Sequence, residues 1–513
     1  MNTTKYDVAI IGAGHNGLVA ASYLALAGKR VVVLEANSEA GGATTSVRAF
    51  PEFDAHLSRY SYLVSLFPDK IIRDLNLNFK TISRSVASYT PYSDERGHHG
   101  LHISRVWDDK TSASFDEMKF GREEKKAWRA FYSATADFAQ RISPSLLKPL
   151  PAKSELKKEI GLDSTWTQLI ETPIGEVITG TFKNDVVRGI VLTDGLIGTY
   201  SSAFSLQASK CFLYHIIGNG TGEWKVPLGG MGKLIEELTR VATKGGATIR
   251  LNSRAVKVET AAKEVSVTLE DNTTIVTDYL LSNVAPQVLA KLRGTYATDS
   301  LDGAQLKVNM LVERLPLLKS GADPRTAFAG TFHVNESFQQ LEDAYTQARS
   351  GKIPSLLPLE LYCHTLTDNT ILSEDLQRRG YQSLTLFGLH TPASLFDNNR
   401  EEQKAKALNA ALASLNTCLA EPVESVLASS TNGDATIEVK SPLDIEAAIG
   451  MPRGNIFHRD LAFPFRDDDA PPGWGVETDH PRIFICGAGA IRGGGVSGIP
   501  GHNAAMAVLG NHK

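Results

Sequence analysis

Residues 6–11 form a short, largely apolar run that ends at a glycine, and residues 30–34 form a second, valine-rich run. Between them, residues 18–27 are rich in alanine and leucine and of helical length. This order predicts strand, helix, strand. Strands with so few polar positions are buried on both faces, as in a parallel sheet covered by helices, and the crossover between them is then right-handed.

From about residue 83 to 222 the pattern becomes mixed and polar-rich, with a loop expected at 93–102, a charged helix at 123–140 and turns marked by proline. Residues 229–246 predict a helix opened by Gly229-Gly230-Met231-Gly232, and 247–250, 255–259, 264–269 and 274–282 alternate as short strands. A second mixed stretch follows Ala285 and runs to about residue 439, after which 482–509 return to strand, glycine-rich loop and helix. At 513 residues the chain exceeds the size at which one core stops growing. The expected architecture is therefore α/β: a discontinuous Rossmann-type domain from 1–82, 223–300 and 440–513, and an α+β substrate-binding domain from 83–222 and 301–439.

Composition changes this picture little. With 42% hydrophobic and 21% charged residues the chain reads as an ordinary folded protein. A net charge of −4 and a pI near 6.4 give no basic field for nucleic acid, which is excluded as a partner. The four cysteines, Cys211, Cys363, Cys418 and Cys486, form no CxxC pair and are expected as reduced thiols. Asp7 precedes the first apolar stretch and Lys29 and Arg30 interrupt it, so it reads as fold and not as an export signal. No run approaches the roughly 20 apolar residues of a membrane span. A cytoplasmic location is expected, with peripheral membrane contact left open.

Chemistry enters at Gly12-Ala13-Gly14-His15-Asn16-Gly17, a GxGxxG fingerprint placed directly after a buried strand and at the mouth of a helix. Gly12 permits the tight turn, Gly14 clears the approach of a pyrophosphate, and Gly17 lets helix and strand pack closely, while the first helical amides face the anion. Glu35, followed by Ala36, ends the second strand; its carboxylate suits the ribose hydroxyls and repels a 2′-phosphate, favouring FAD or NAD over NADP.

Further motifs resemble a known family. Gly41-Gly42-Ala43-Thr44 is similar to the Gly-Gly pair that follows the strand-end glutamate in flavin amine oxidases and phytoene desaturases, with Ala43 where an arginine is common. Gly487-Ala488-Gly489 and Gly493-Gly494-Gly495-Val496-Ser497-Gly498-Ile499-Pro500 resemble the closing flavin motif of the phytoene-desaturase-like group, with Ala488 where many flavoproteins carry aspartate. Residues 57–66, 227–232 and 454–458 strengthen the same likeness. The resemblance implies a glutathione-reductase-like FAD fold and noncovalent FAD. It also implies a cofactor contact at Val256, whose backbone meets the adenine in such proteins, and a helix starting near Pro500 with its positive end toward the flavin.

Ser282-Asn283-Val284-Ala285-Pro286 followed by Gln305-Leu306-Lys307 resembles the arrangement in which a flavin amine oxidase lysine holds a water against the flavin. Lys307 is the catalytic candidate. The expected function is hydride removal from an organic, largely apolar small molecule to FAD, with oxygen or a quinone as electron acceptor. The alternatives are an amine or amide oxidase releasing hydrogen peroxide, and a non-enzymatic binding protein on the same fold, as in the GDP-dissociation inhibitors. His98, His99 and His102 are expected in a solvated loop and not at a metal. Tyr60, Tyr62, Leu63, Leu66 and Phe67 suit either core packing or an apolar substrate. His458 and His502 lie within motifs expected near the flavin.

Overall fold

The computed structural model describes residues 5–296 and 301–510, so the outer domain limits expected at 1, 300 and 513 fall outside it. Strand Lys5–Ile11 lies parallel to Val31–Leu34 on one side and Thr274–Ser282 on the other, in register Val8 to Val31 and Ile11 to Ser282. Thr248–Arg250 extends the sheet beyond Val31–Leu34. Strand Thr274–Ser282 has two neighbours on its far side. Its first half pairs antiparallel with Val265–Leu269, itself paired with Ala255–Thr260, and its last three residues pair parallel with Ile483–Ile485.

Val8, Ala9, Ile10 and the whole of Val31–Leu34 are buried, as uninterrupted apolar runs require. Helices His15–Leu26, Gly232–Lys244 and Ile499–Gly510 supply Leu18, Leu234 and Val508 to the same core. Segments far apart in sequence thus converge on the end of strand Lys5–Ile11.

A second seven-stranded sheet runs in the order Ile437–Lys440, Leu306–Val312, Gln382–Gly388, Leu359–Tyr362, Thr331–Val334, Val86–Asp94, Gly97–Ser104. Only the pair of Thr331–Val334 with Val86–Asp94 is parallel. The loop expected at 93–102 is instead the turn and second arm of an edge hairpin, with Asp94 opposite Gly97. Tyr89, Leu101 and Ile103 are buried while the consecutive residues Ser93, Asp94, Glu95 and Arg96 are exposed, so the polarity that reads as loop belongs to the solvent-facing tip of the hairpin. His98, His99 and His102 accordingly sit on a strand, and the His102 ring lies 2.9 Å from the Ser104 hydroxyl.

Beside this sheet, helices Gly121–Ile142, Asp185–Thr193 and Leu206–Ile217 pack around Phe138, Trp166 and Phe212. All four cysteines are free thiols. Among the described residues, no helix is long and apolar enough to cross a membrane.

Candidate active site

The fingerprint turn is held from several directions. Gly12 has φ +98°, open to glycine without strain, and a Cβ on Gly17 would stand 2.3 Å from the Gly12 carbonyl oxygen. Asn283, just past strand Thr274–Ser282, donates its backbone N–H to Ile11 O at 2.9 Å and its side-chain Nδ2 to Gly12 O at 3.1 Å. A Cβ on Gly487 would lie 2.6 Å from Asn283 O, and one on Gly501 would lie 2.1 Å from Asn16 O. Glycines thus let the two helix-opening corners touch.

Gly41 donates to Ala13 O at 2.9 Å, bringing the Gly41-Gly42 loop against the fingerprint. Glu35 accepts from the Ala13 amide through one oxygen at 2.8 Å and from Asn37 through the other at 2.9 Å. Each oxygen keeps a lone pair, so the carboxylate is aimed by the chain's own backbone and still able to accept ribose hydroxyls.

A cavity of about 790 Å³ runs from this corner into the second sheet. Gly12, Gly14, Asn16, Glu35, Ala36, Gly41, Gly42, Ala43 and Thr44 line it from one corner, and Ala488 and Val496 line it from the other with Gly494 and Gly495. Ala13, Gly17, Gly487, Ser497, Gly498 and Ile499 are buried or nearly so behind that lining. Val256 lies on the edge strand Ala255–Thr260 with its side chain 46% exposed, while its neighbours Arg254 and Ala255 line the cavity. Helix Ile499–Gly510 begins directly after the second corner and points its amide end toward it.

Lys307 lies on strand Leu306–Val312, 2% exposed, and lines the cavity. Among the described residues its Nζ has no hydrogen-bond partner and sits 3.7 Å from the centroid of the Tyr62 ring. Burial drives its pKa well below the lysine range, against an opposing pull from Glu438. A cation held over a tyrosine gains about 0.5–2 kcal/mol, less than full desolvation of an ammonium costs, so burial favours the neutral amine.

Tyr60, Tyr62, Leu63 and Leu66 form part of the cavity wall, and Phe67 joins the core. Trp128, Tyr132, Ile190, Ile197, Trp224 and Phe387 extend the apolar and aromatic lining. Two of the acids that line the cavity are shifted upward. Burial raises Asp194 to about 6 and Glu360 to about 8, the latter helped by neighbouring Glu336. His333 Nδ1 lies 2.5 Å from Glu336 and 3.7 Å from Glu360, and Tyr362 donates to Glu360. His333, Glu336 and Glu360 offer ligand-type atoms within 4.8 Å of one another. Burial also raises Glu336 strongly, which favours its protonated form, and its second oxygen has no hydrogen-bond partner among the described residues.

His15 and His458 line the cavity beside the second corner, each lowered to about 4 by burial and therefore neutral. His502 packs instead against Tyr23 and Trp474.

Sequence reading missed Asn283 as the clasp, and also Asp194, His333, Glu336 and Glu360. Only the Ser282-to-Pro286 segment carried a signal, since Asn283 lies within it. His333 and Glu336 are three positions apart, but Asp194 and Glu360 are distant from them in sequence and join them only through packing and strand pairing.

The profile of flavin containing amine oxidoreductases matches residues 17–340. An uncharacterized protein of Mycobacterium tuberculosis is 44% identical over 98% of this chain and 97% of its own. Pyridine nucleotide-disulfide oxidoreductase domain-containing protein 2 of Mus musculus is 28% identical over 99% of this chain and 94% of its own. Among solved structures, cyclohexylamine oxidase from Brevibacterium oxydans covers 99% of this chain and 100% of its own with a TM-score of 0.57 at 13% identity, a likeness of fold.

Proposed function

The chain belongs to the flavin-containing amine oxidoreductase family and is an FAD-dependent oxidoreductase, and from that premise we propose that it removes a hydride from an organic, largely apolar substrate. The observation that carries this reading is the single cavity leading from the glycine corners to a wall of aromatic and aliphatic side chains. FAD, held without a covalent bond, supplies the hydride acceptor.

In this reading the amides of Gly14 to Asn16 and of Gly42 and Ala43 would bind the pyrophosphate, Gly12, Gly41 and Thr44 hold the loops that present them, and Glu35 would accept the ribose hydroxyls. Ala13, Gly17 and Ala36 shape that turn, and the backbone near Val256 meets the adenine. Gly487, Ala488 and residues 496–499 would hold the ring system beside the helix amide end, whose positive dipole would favour the anionic reduced flavin. Residues 1–82, 223–300 and 440–513 make up the FAD-binding domain, and 83–222 with 301–439 the substrate-binding domain.

Lys307 is the residue that handles a proton. As a neutral amine it accepts a hydrogen bond from a water or from the substrate, and Tyr62 beneath it fixes its direction. Tyr62, Trp128, Tyr132 and Trp224 exclude water and orient the hydrocarbon. Oxygen or a quinone removes the electrons.

A second reading, an amine or amide oxidase, is favoured by Asp194 and Glu360 on the cavity wall, because carboxyl groups facing the substrate suit a polar nitrogen better than a polyene. Anaerobic bleaching of the flavin across a panel of amines, alcohols and polyenes tests both readings. Bleaching by apolar compounds, with turnover that needs a quinone, supports the first. Bleaching confined to amines, with hydrogen peroxide formed in air, replaces it with the second.

A further inference from the structure

A second hollow of about 430 Å³ adjoins the cavity, and Trp107 lines both. Its other walls are Ser112, Arg122, Lys125, Lys126 and Arg129. The four cations stand at i, i+3, i+4 and i+7 of helix Gly121–Ile142 and therefore share one face. Lys125 is paired with Asp116 at 2.7 Å. Among the described residues, Arg122, Lys126 and Arg129 have no carboxylate within ion-pair distance, and Arg129 lies over the Trp107 ring at 5.5 Å. Three unpaired cations converging on one hollow are not what a chain of net charge −4 produces by composition alone.

A basic helix face is most often merely solvated. Here the same face continues into the cavity wall: Tyr132, Thr135 and Ala136 line the cavity, and Ala136 is seven positions past Arg129, about 10 Å along the helix. Ala136, Arg105 and Thr221 are both cavity-lining and exposed, so they mark an opening on this side. Charged groove, shared tryptophan, opening and apolar wall thus form one path that ends at Lys307.

We propose that the groove binds the anionic head, a phosphate or carboxylate, of an amphiphilic substrate whose hydrocarbon chain enters the cavity past Trp107. The arginines suit a bidentate oxyanion and Lys126 adds a point charge. Asp116 competes for Lys125, which leaves the head to the other three. This assignment names the substrate class for the apolar-substrate reading above and rests on it.

Isothermal titration of the flavin-loaded protein with dodecyl phosphate, kept below its micelle concentration, and with dodecyltrimethylammonium of the same chain length tests it. The phosphate is expected to bind at least about tenfold more tightly, a difference of about 1.4 kcal/mol. The Arg122→Gln, Lys126→Gln, Arg129→Gln triple variant is expected to lose that preference at unchanged flavin content and thermal midpoint. Equal binding of the two amphiphiles, a preference undiminished in the triple variant, or retention on phosphatidylglycerol vesicles without binding of monomeric dodecyl phosphate overturns the proposal. A protein that holds no flavin sinks the underlying reading instead, and flavin content is measured on the same sample.

Discussion

Asn283 donates its side-chain amide to the carbonyl oxygen of Gly12, 3.1 Å away and 271 positions earlier in the chain. Cβ atoms added at Gly12, Gly14, Gly17 or Gly487 would each come within 3.4 Å of Asn283, so this one residue fills the space those glycines leave free. It ties the fingerprint turn to strand Thr274–Ser282, which pairs with the strand leading into the C-terminal corner. Replacing Asn283 by alanine leaves the partly buried Gly12 carbonyl without its side-chain partner, which costs about 1 kcal/mol. A lowered thermal midpoint and weaker FAD retention are expected in Asn283→Ala, and a melting curve with unchanged flavin content contradicts the clasp.

Gly14 and Gly17 separate cofactor binding from folding. A Cβ at Gly17 meets the Gly12 backbone oxygen at 2.3 Å, which cannot yield, whereas a Cβ at Gly14 meets the movable Asn283 amide at 2.9 Å. Gly17→Ala is expected to lose about 1–3 kcal/mol or more of stability through overpacking. Gly14→Ala is expected to fold with a smaller loss yet bind FAD about tenfold or more weakly, as the methyl group intrudes on the approach to the pyrophosphate. Comparable melting points for the two variants, or full FAD occupancy in Gly14→Ala, contradict this division.

Lys307→Met removes an unpartnered buried amine at nearly equal volume. Stability is expected to rise by about 1 kcal/mol, since a buried polar group without a hydrogen bond is costly. Flavin reduction and reoxidation, followed by stopped-flow absorbance, are expected to slow about tenfold or more. Unchanged rates at full FAD content remove Lys307 from the chemistry.

Glu360 gives stability a pH dependence of known sign. In the folded chain burial raises its pKa to about 8, against an ordinary value of 4.5, so the folded state binds a proton that the unfolded state has already released. Its contribution is fully present below the unfolded value and is lost as pH rises through about 8. The thermal midpoint of the parent protein is therefore expected to fall between about pH 5 and pH 9, and the fall is expected to be smaller in Glu360→Gln. Parallel pH profiles for the two proteins would show that Glu360 is already ionised in the folded chain.

The cofactor half of the fold is legible in the sequence because its signals are local. Residues 6–11, 18–27 and 30–34 carry apolar runs of one period each, and the glycines that permit close approach sit within a few positions of the strand they follow. The hairpin at 86–104 is misread because its tip, 93–96, is polar and exposed at consecutive positions and carries no period-two alternation to mark a strand. The carboxyl cluster is invisible for a different reason. His333, Glu336 and Glu360 come from adjacent strands and the turn after one of them, and their proximity is a product of sheet register. Lys307 is suggested by resemblance alone, and its burial follows from a strand hydrogen-bonded on both sides within the sheet.

The account depends most on a single FAD lying between the fingerprint corner and the corner at 487–499. Flavin content per chain in the purified protein, read by absorbance before and after denaturation, tests this directly. One FAD per chain, released into solution when the protein unfolds, is the expected result. A colourless protein that takes up no FAD on reconstitution contradicts it.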